Sequence, residues 1–443
     1  MAVVVARYLA DGDLDQTFGA RGKVRTDIDG AAVVYDVQIN QQGKVTVLAG
    51  GRDLYRIRYA EDGDLEGITP MPFFPDAVDG SIGAATSYVP VPPVAQFARI
   101  PSLPGPIATS VGRVLAAGWV IRDREHWQVE MAVAAYLHSG QPDPGFNSDG
   151  RVSFGFFAIV SGDDIPIADA RAVAVDNFER VVVSGYATNG DGSGQDFAVA
   201  RLLKDGNPDP QFSQDGRRIT KFPNSPLSGS SGVLTDGAGR IVSVGTASSP
   251  AQGSQTQFAM AKYTLTGELD STFGGNDGLV TAVTPTGSPV TAHAVKGDMS
   301  QRFVVVGGET AGLDHVAIAR FLPNGTRDQA FGGSGFGPFS PVPPPASAWD
   351  VHIDSLTGKI TVVGESKGQF AVIRLRDNGS LAGFGDNGSV VTRMGTENES
   401  SIAMAVAMDP FSRIVVAGIA GGRLQRVMRR PPVSSEAIVT NDD

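Results

Sequence analysis

The feature that most constrains this chain is repetition. An apolar strand ending in a basic residue, a turn glycine and a tail closing on Phe-Gly first occur as Ala6-Arg7-Tyr8, Gly12, Leu14-Asp15 and Phe18-Gly19. The set returns as Ala261-Lys262-Tyr263, Gly267, Leu269-Asp270 and Phe273-Gly274, and again as Ala319-Arg320-Phe321, Gly325, Asp328 and Phe331-Gly332. Weaker copies carry Gly63, Gly140, Gly206 and Gly379. The mean step between these turn glycines is about 61 residues, room for four strands of about 5–6 residues with their turns. A unit of that size cannot cover its own apolar faces, so it must stack on its neighbours.

A second signature alternates with the first: a basic residue, a β-branched run and a glycine. Its copies are Lys44–Gly50, Arg113–Gly118, Arg180–Gly185, Arg240–Gly245, Arg302–Gly307, Lys359–Gly364 and Arg413–Gly418. Runs of Val and Ile bounded by turn residues read as strands. Ahead of most of them another short strand ends in Asn40, Asp176, Asp236, Asp298, Asp354 or Asp409, whose side chains can bond the backbone two residues on and close a hairpin. Each unit therefore supplies four antiparallel strands, and helical periodicity is absent.

The ends favour a ring over an open stack. Val3–Tyr8 belongs to the middle of a unit, and the last unit, from Ala405, lacks its outer strand after the segment 424–428. Lys23–Thr26 could supply it, which would close the circle and leave no exposed edge between first and last units. The expected fold is all-β, a seven-bladed β-propeller of four-stranded antiparallel blades. It spans 1–430 as one domain, with an insertion near 68–109 and a flexible tail at 431–443.

The D-G-x-L-D-x-x-F-G tail alternating with the G-K-I-V-V-x-G strand resembles the bacterial delta-60 repeat family from Ala6 to about Gly418. The resemblance implies a propeller of uncharacterised function, of a kind found in large surface or extracellular proteins. It carries no catalytic residue over to this chain. Met1–Arg7 runs straight into the first repeat with no cleavable signal.

Composition narrows the partners. The net charge of −11 repels nucleic-acid backbones and anionic lipid at long range, and no apolar run is long enough for a membrane helix. With no cysteine there are no disulfides, thiolate metal sites or cysteine nucleophiles.

The repeated Asp15, Asp270, Asp328 and their phenylalanines Phe18, Phe273 and Phe331 read as blade-building residues, since a residue in every unit serves the unit. The segment 189–196, with its Asn, Asp and Gly, lacks the glutamate of a calcium loop and reads as a turn, as do Asp149-Gly150 and Asp277-Gly278. The histidines His126, His138, His293, His315 and His352 show no ligand spacing, and no nucleophile elbow or phosphate loop occurs. No cofactor, metal or catalytic residue is assigned.

One set of positions varies where its neighbours repeat. The innermost strand reads Ala172-Val173-Ala174-Val175 or Ala405-Val406-Ala407-Met408, but Asp36 and Asp350 replace the first alanine in two units. Immediately before it stand Tyr35, Arg171, Ser231, His293, Trp349 and Met404. Tyr35, Asp36, Arg171, His293, Trp349 and Asp350 are therefore the expected lining of the axial funnel, binding a polar ligand. A protein or glycan is expected over a small molecule, by a monomeric binding or scaffold module. The rivals are a lyase or hydrolase with Asp36, His293 and Asp350 as acid–base groups, and a spacer in a larger assembly. The stretch from Gly67 to Ser110, rich in proline and aromatics, is expected to be a long inserted loop, either functional or packed over one face, and Pro341–Pro345 a rigid connector.

Overall fold

The computed structural model describes residues 1–28, 33–51, 53–77, 79–88, 113–121, 129–156, 167–188, 194–249, 255–309, 314–338, 340–409 and 411–421. The tail at 431–443 lies outside the described residues, as do His126 and the greater part of 189–196.

Seven antiparallel sheets follow one another around an axis, and each innermost strand packs on the next until the circle closes. From the axis outward, blade 2 consists of Val33–Ile39, Val45–Gly50, Leu54–Tyr59 and Leu65–Met71. Blade 3 has Asp79–Tyr88, Arg113–Ile121, Val129–Tyr136 and Arg151–Phe154; blade 4 has Ala168–Val175, Val181–Thr188, Gln195–Leu202 and Arg217–Thr220. Blade 5 has Ser228–Thr235, Ile241–Ser249, Gln255–Tyr263 and Leu279–Ala282, and blade 7 has Ala346–Ile353, Ile360–Ser366, Gln369–Leu375 and Ser389–Thr392.

Blade 1 is shared by the termini. Ser400–Met408 and Ile414–Gly421 form its inner half, and Ala2–Tyr8 and Lys23–Asp27 its outer half. The seam runs from Ala2 opposite Ala420 to Tyr8 opposite Ile414. Ring closure therefore follows the expected route, with Lys23–Asp27 as the outer strand.

Blade 6 departs from the four-strand pattern. It has Val290–Gly297, Phe303–Glu309 and Val316–Phe321, and among the described residues its fourth position is a single bridge of Phe336 with Ala319. Pro338 and Pro341 explain this, because proline cannot donate to a ladder. Val342 instead buries against Val316 and Ile318, while the carbonyls of Pro343 and Pro345 accept from Ser366 Oγ and Lys367 N. The expected connector is thus part of the blade 6–7 core.

Of the stretch 68–109, residues up to Met71 complete the outer strand of blade 2, and Asp79–Tyr88 is the inner strand of blade 3. Only 89–112 separates that strand from its partner Arg113–Ile121, and it lies outside the described residues.

The repeated residues tie blade to blade. Arg7, Arg201 and Arg320 are buried and pair through Nε with Asp15, Asp209 and Asp328 at 2.7, 2.8 and 2.8 Å. Each lies over the phenylalanine of its own tail, Phe18, Phe212 or Phe331, at 4.6, 4.9 and 4.6 Å. Arg7, Arg56, Lys262 and Arg320 also reach the next blade, donating to the carbonyls of Glu61, His138, Pro323 and Asp377. Beside them Gly19, Asn147, Ser213, Gly274, Gly332 and Gly385 donate backbone N–H to Asp62, Asp205, Thr266, Asn324, Asn378 and Asp11. The last of these closes the ring. Charge-assisted bonds between buried partners are the strong kind, and here they hold one whole face of the disc.

Gly12 and its six counterparts take φ between +82° and +102°, as the tight turn requires. The hairpin aspartates behave as expected: Asp176 Oδ1 accepts from Phe178 N and Arg180 N, and Oδ2 from Arg180 Nε at 2.6 Å. Asp236, Asp298 and Asp409 repeat this geometry. Asp149 and Asp277 likewise accept from the backbone two residues on, ahead of the positive-φ Gly150 and Gly278.

Candidate functional site

The six varied positions, with Gly83 at the same place in blade 3, share one structural cause. Every innermost strand carries a β-bulge, and the extra residue is Tyr35, Gly83, Arg171, Ser231, His293, Trp349 or Met404. A bulge re-aims one side chain and leaves it outside the ladder. It also explains the recurring glycine of the second signature. A Cβ on Gly185, Gly307, Gly364 or Gly418 would stand 1.9 Å from the carbonyl oxygen of Asp169, Thr291, Ser347 or Ile402 on the bulged strand. Blade 2 carries Ala49 at that place.

The bulge side chains form a belt around the axis. Tyr35 Oη donates to Ile82 O of blade 3 at 3.1 Å, and Ser231 Oγ to Ala292 O of blade 6 at 2.6 Å. His293 Nδ1 bonds Ala348 O of blade 7 at 2.7 Å, so that nitrogen carries the proton. Its ring stacks on Trp349, 4.0 Å away and within 5° of parallel, and burial lowers its pKa, favouring the neutral form. Trp349 packs on the core of blades 1 and 2, and its Nε1 is buried with no hydrogen-bond partner among the described residues.

Asp350 is held across the next junction. Oδ1 accepts from Val351 N at 2.8 Å and Oδ2 from Val406 N of blade 1 at 2.9 Å. Burial raises its pKa, against the pull of Lys296 and those two N–H groups. The carboxylate of Asp36, on blade 2, accepts from Gln38 Nε2 at 3.1 Å. Arg171, on blade 4, pairs with Asp169 at 2.6 Å and reaches Tyr186 Oη at 3.4 Å; the Asp169 charge holds its pKa above the usual value.

The structure thus brings His293, Trp349 and Asp350 together where blades 6, 7 and 1 meet. Tyr35 and Asp36 sit on blade 2 and Arg171 on blade 4, elsewhere around the belt. Two residues not singled out from the sequence join the first group. Lys296 lies close enough to act on both Asp350 and His352, and burial together with Lys296 and Arg374 brings the His352 pKa down to about 4. His352 follows Asp350 by two residues on one strand, so the alternation of faces was the available signal. Nothing in the order of residues pointed to Lys296, which comes from another blade.

A cavity of about 490 Å³ opens at one end of the axis between the inner strands of blades 4, 5 and 6. It is lined by Val173, Val233, Leu234, Val295 and Lys296, among others, and by none of the six expected residues. A larger hollow of about 810 Å³ lies at the outer rim, between Val280–Val283 of blade 5 and the turn after Phe321 in blade 6. It is remote from the axis and holds no grouped ionisable side chains beyond Arg327 and the structural Asp328. Among the described residues no three His, Asp or Glu are grouped to hold a metal ion, and no helix is long and apolar enough to cross a membrane.

No curated protein matches the sequence significantly. Among solved structures, the β-propeller domain of the trilobed protease from Pyrococcus furiosus is similar at 8% identity and TM-score 0.39, over 88% of this chain and 91% of that one. PorZ, a surface component of the type-IX secretion system of Porphyromonas gingivalis, is similar at 11% identity and TM-score 0.39, over 90% and 48%. The Dos1 propeller is similar at 10% identity and TM-score 0.37, over 74% of this chain and 65% of that one, so the match spans less than two thirds of the Dos1 chain. Residues 180–212, 239–273 and 304–331 match the family described as a domain of unknown function (DUF5122) beta-propeller, which supports placing these repeats in a propeller family of unknown function.

Proposed function

We propose that this propeller is a non-catalytic binding module that holds a polar ligand, a protein segment or a glycan, against the bulge belt. In this reading Tyr35, Asp36, Arg171, His293, Trp349 and Asp350 are its contacts. The observation that carries the reading is the belt itself: one varied side chain per blade but for Gly83, at the axis, on a frame whose other residues repeat. A rigid frame that presents one variable residue per unit suits recognition.

Binding is favoured over catalysis because His293 and Asp350 serve the frame, each tying its own blade to the next. His293 spends Nδ1 on a carbonyl and its face on Trp349, and both oxygens of Asp350 accept backbone N–H. The raised pKa of Asp350 favours one second reading, a hydrolase or lyase using a protonated carboxyl as acid. The setting implied by the family resemblance is a bacterial surface or secreted system.

The test is a screen of the whole chain against a glycan array and a panel of labelled peptides. Repeating it with Trp349→Ala and with the near-isosteric Asp350→Asn should show affinity for any hit falling at least about tenfold. Hits unaffected by both changes would remove the belt as the site. Turnover of an arrayed glycan, abolished by Asp350→Asn, would favour the enzyme, and a clean blank would favour a spacer.

A further inference from the structure

The two faces of the disc differ. Strand order places every hairpin between the first and second strands, and every turn between the third and fourth, on one face. This is the face tied together by the aspartates and arginines. Four of the inner hairpins carry a large apolar side chain at the tip, and all four stand in solvent. Phe178 is 57% exposed, Met299 69%, Leu356 69% and Phe411 68%. They belong to blades 4, 6, 7 and 1, so three of them form a continuous arc beside the axial opening.

These tips are rigid. Each hairpin of blades 4, 6 and 1 is pinned by its Asp–Arg pair, and the guanidiniums of Arg180 and Arg413 lie over the rings of Phe178 and Phe411 at 4.9 and 5.2 Å. Apolar side chains held in place while exposed bind with little ordering cost. The hairpins themselves need no apolar tip, since blade 2 uses Gln41 and Gln42 and blade 5 uses Gly237 and Ala238 in the same fold.

Further from the axis the outer turns of blades 1, 2, 4 and 5 carry exposed aspartates, while those of blades 6 and 7 carry the exposed Arg327 and Arg376. Asp11, Asp13, Asp62, Asp64, Asp205 and Asp277 are exposed on the outer turns. Asp11, Asp62, Asp205 and Asp277 each accept a backbone N–H two residues on, which holds the carboxylate at the turn. An apolar centre within a charged rim is the anatomy of a protein interface, and the sign of the rim selects the partner.

We infer that this face docks a basic protein segment, one that places an aliphatic or aromatic side chain among Met299, Leu356 and Phe411 and its Lys or Arg residues on the aspartate turns of blades 1, 2, 4 and 5. This site is separate from the bulge belt and does not depend on it.

The test uses the full chain and three labelled dodecapeptides in fluorescence anisotropy: one alternating Lys with Leu and Phe, one alternating Lys with Ser, and one alternating Glu with Leu and Phe. The first alone should bind. The triple variant Met299→Ser, Leu356→Ser, Phe411→Ser should weaken it at least about tenfold with an unchanged melting temperature, because all three side chains are exposed. Raising salt from 0.05 to 0.5 M should weaken it further. Trp349→Ala and Asp350→Asn should leave it unchanged, which separates this result from the fate of the belt. Equal binding of the acidic peptide, full affinity in the triple variant, or no binding of any peptide would each overturn the inference. So would finding that the same three residues mediate self-association or attachment to phosphatidylserine vesicles.

Discussion

Blades 3 and 4 build the same face from different residues. In blade 4 two arginines divide the work: Arg180 closes the inner hairpin on Asp176 at 2.6 Å, and Arg201, at the end of the third strand, pairs with Asp209 at 2.8 Å over Phe212. Blade 3 has Ala135 in the place of Arg201, and residues 89–112 stand where blade 4 has the short turn Asp176–Arg180. Its Arg113, the counterpart of Arg180, has lost the hairpin carboxylate and turns to Asp143 at 2.6 Å. It lies over Phe146 and donates to Lys204 O of blade 4 at 2.7 Å. One guanidinium arriving from the second strand thus replaces one missing from the third. What the repeat preserves is a positive charge between a carboxylate, a ring and the next blade's carbonyl. The sequence position supplying it can move.

The sharpest way to break this comparison is Asp209→Ala. Arg201 has no exposed surface, and removing its carboxylate leaves a buried charge unpaired, at a cost of about 3–5 kcal/mol in urea unfolding. Asp143→Ala should cost clearly less, because the Arg113 side chain is 24% exposed and water can take the place of the lost partner. Equal losses would mean that burial does not set the value of these pairs.

Next comes Gly185→Ala, which puts a Cβ 1.9 Å from Asp169 O and should lose about 2–3 kcal/mol, or shift the bulge and displace Arg171. Arg113→Ala should then cost about 2 kcal/mol and Arg180→Ala about 1, since Arg113 alone holds the tail of its blade while Arg180 is backed by Arg201. The reverse order, read from denaturant midpoints, would refute the substitution of one arginine for another.

The axis extends the comparison to pH. Blade 4 has Ala172 and Ala174 where blade 7 has Asp350 and His352. His352 titrates at about 4 in the folded protein against 6.5 for the unperturbed group, so the unfolded chain binds the proton first as pH falls. Stability is therefore lost between about pH 6.5 and 4, and His352→Gln should remove about 1–2 kcal/mol of that loss. Asp350 has the opposite sign: its raised pKa means that ionising it costs stability as pH rises above the usual carboxylate range. A variant with the same pH profile as the wild type would show that His352 is not buried neutral. The smallest effect belongs to Phe178→Ala, expected within about 0.5 kcal/mol because the ring is exposed.

The turn glycines and the hairpin aspartates were legible because each acts within a few residues of itself. Asp176 bonds Phe178 and Arg180, and Gly12 serves its own turn. The varied residues before Asp36 and Asp350 were legible as a set, but their bulge geometry was not, since a bulge shows only when the register of the partner strand is known. In blade 6 Pro338 and Pro341 stand where the outer strand runs, and its fourth position is held by the bridge of Phe336 with Ala319.

The sequence by itself determined the number of blades and the place of nearly every turn, because local hydrogen bonds and backbone preferences repeat with the chain. The incomplete units at the two ends showed that they join, and the tertiary structure decided which strands meet. Only the tertiary structure decided which residues meet. Lys296 acting on Asp350 and His352, Arg113 reaching Lys204, and Met299, Leu356 and Phe411 sharing one face all join different blades. Residues some sixty positions apart have no local interaction to record their meeting; the closing of the ring places them side by side.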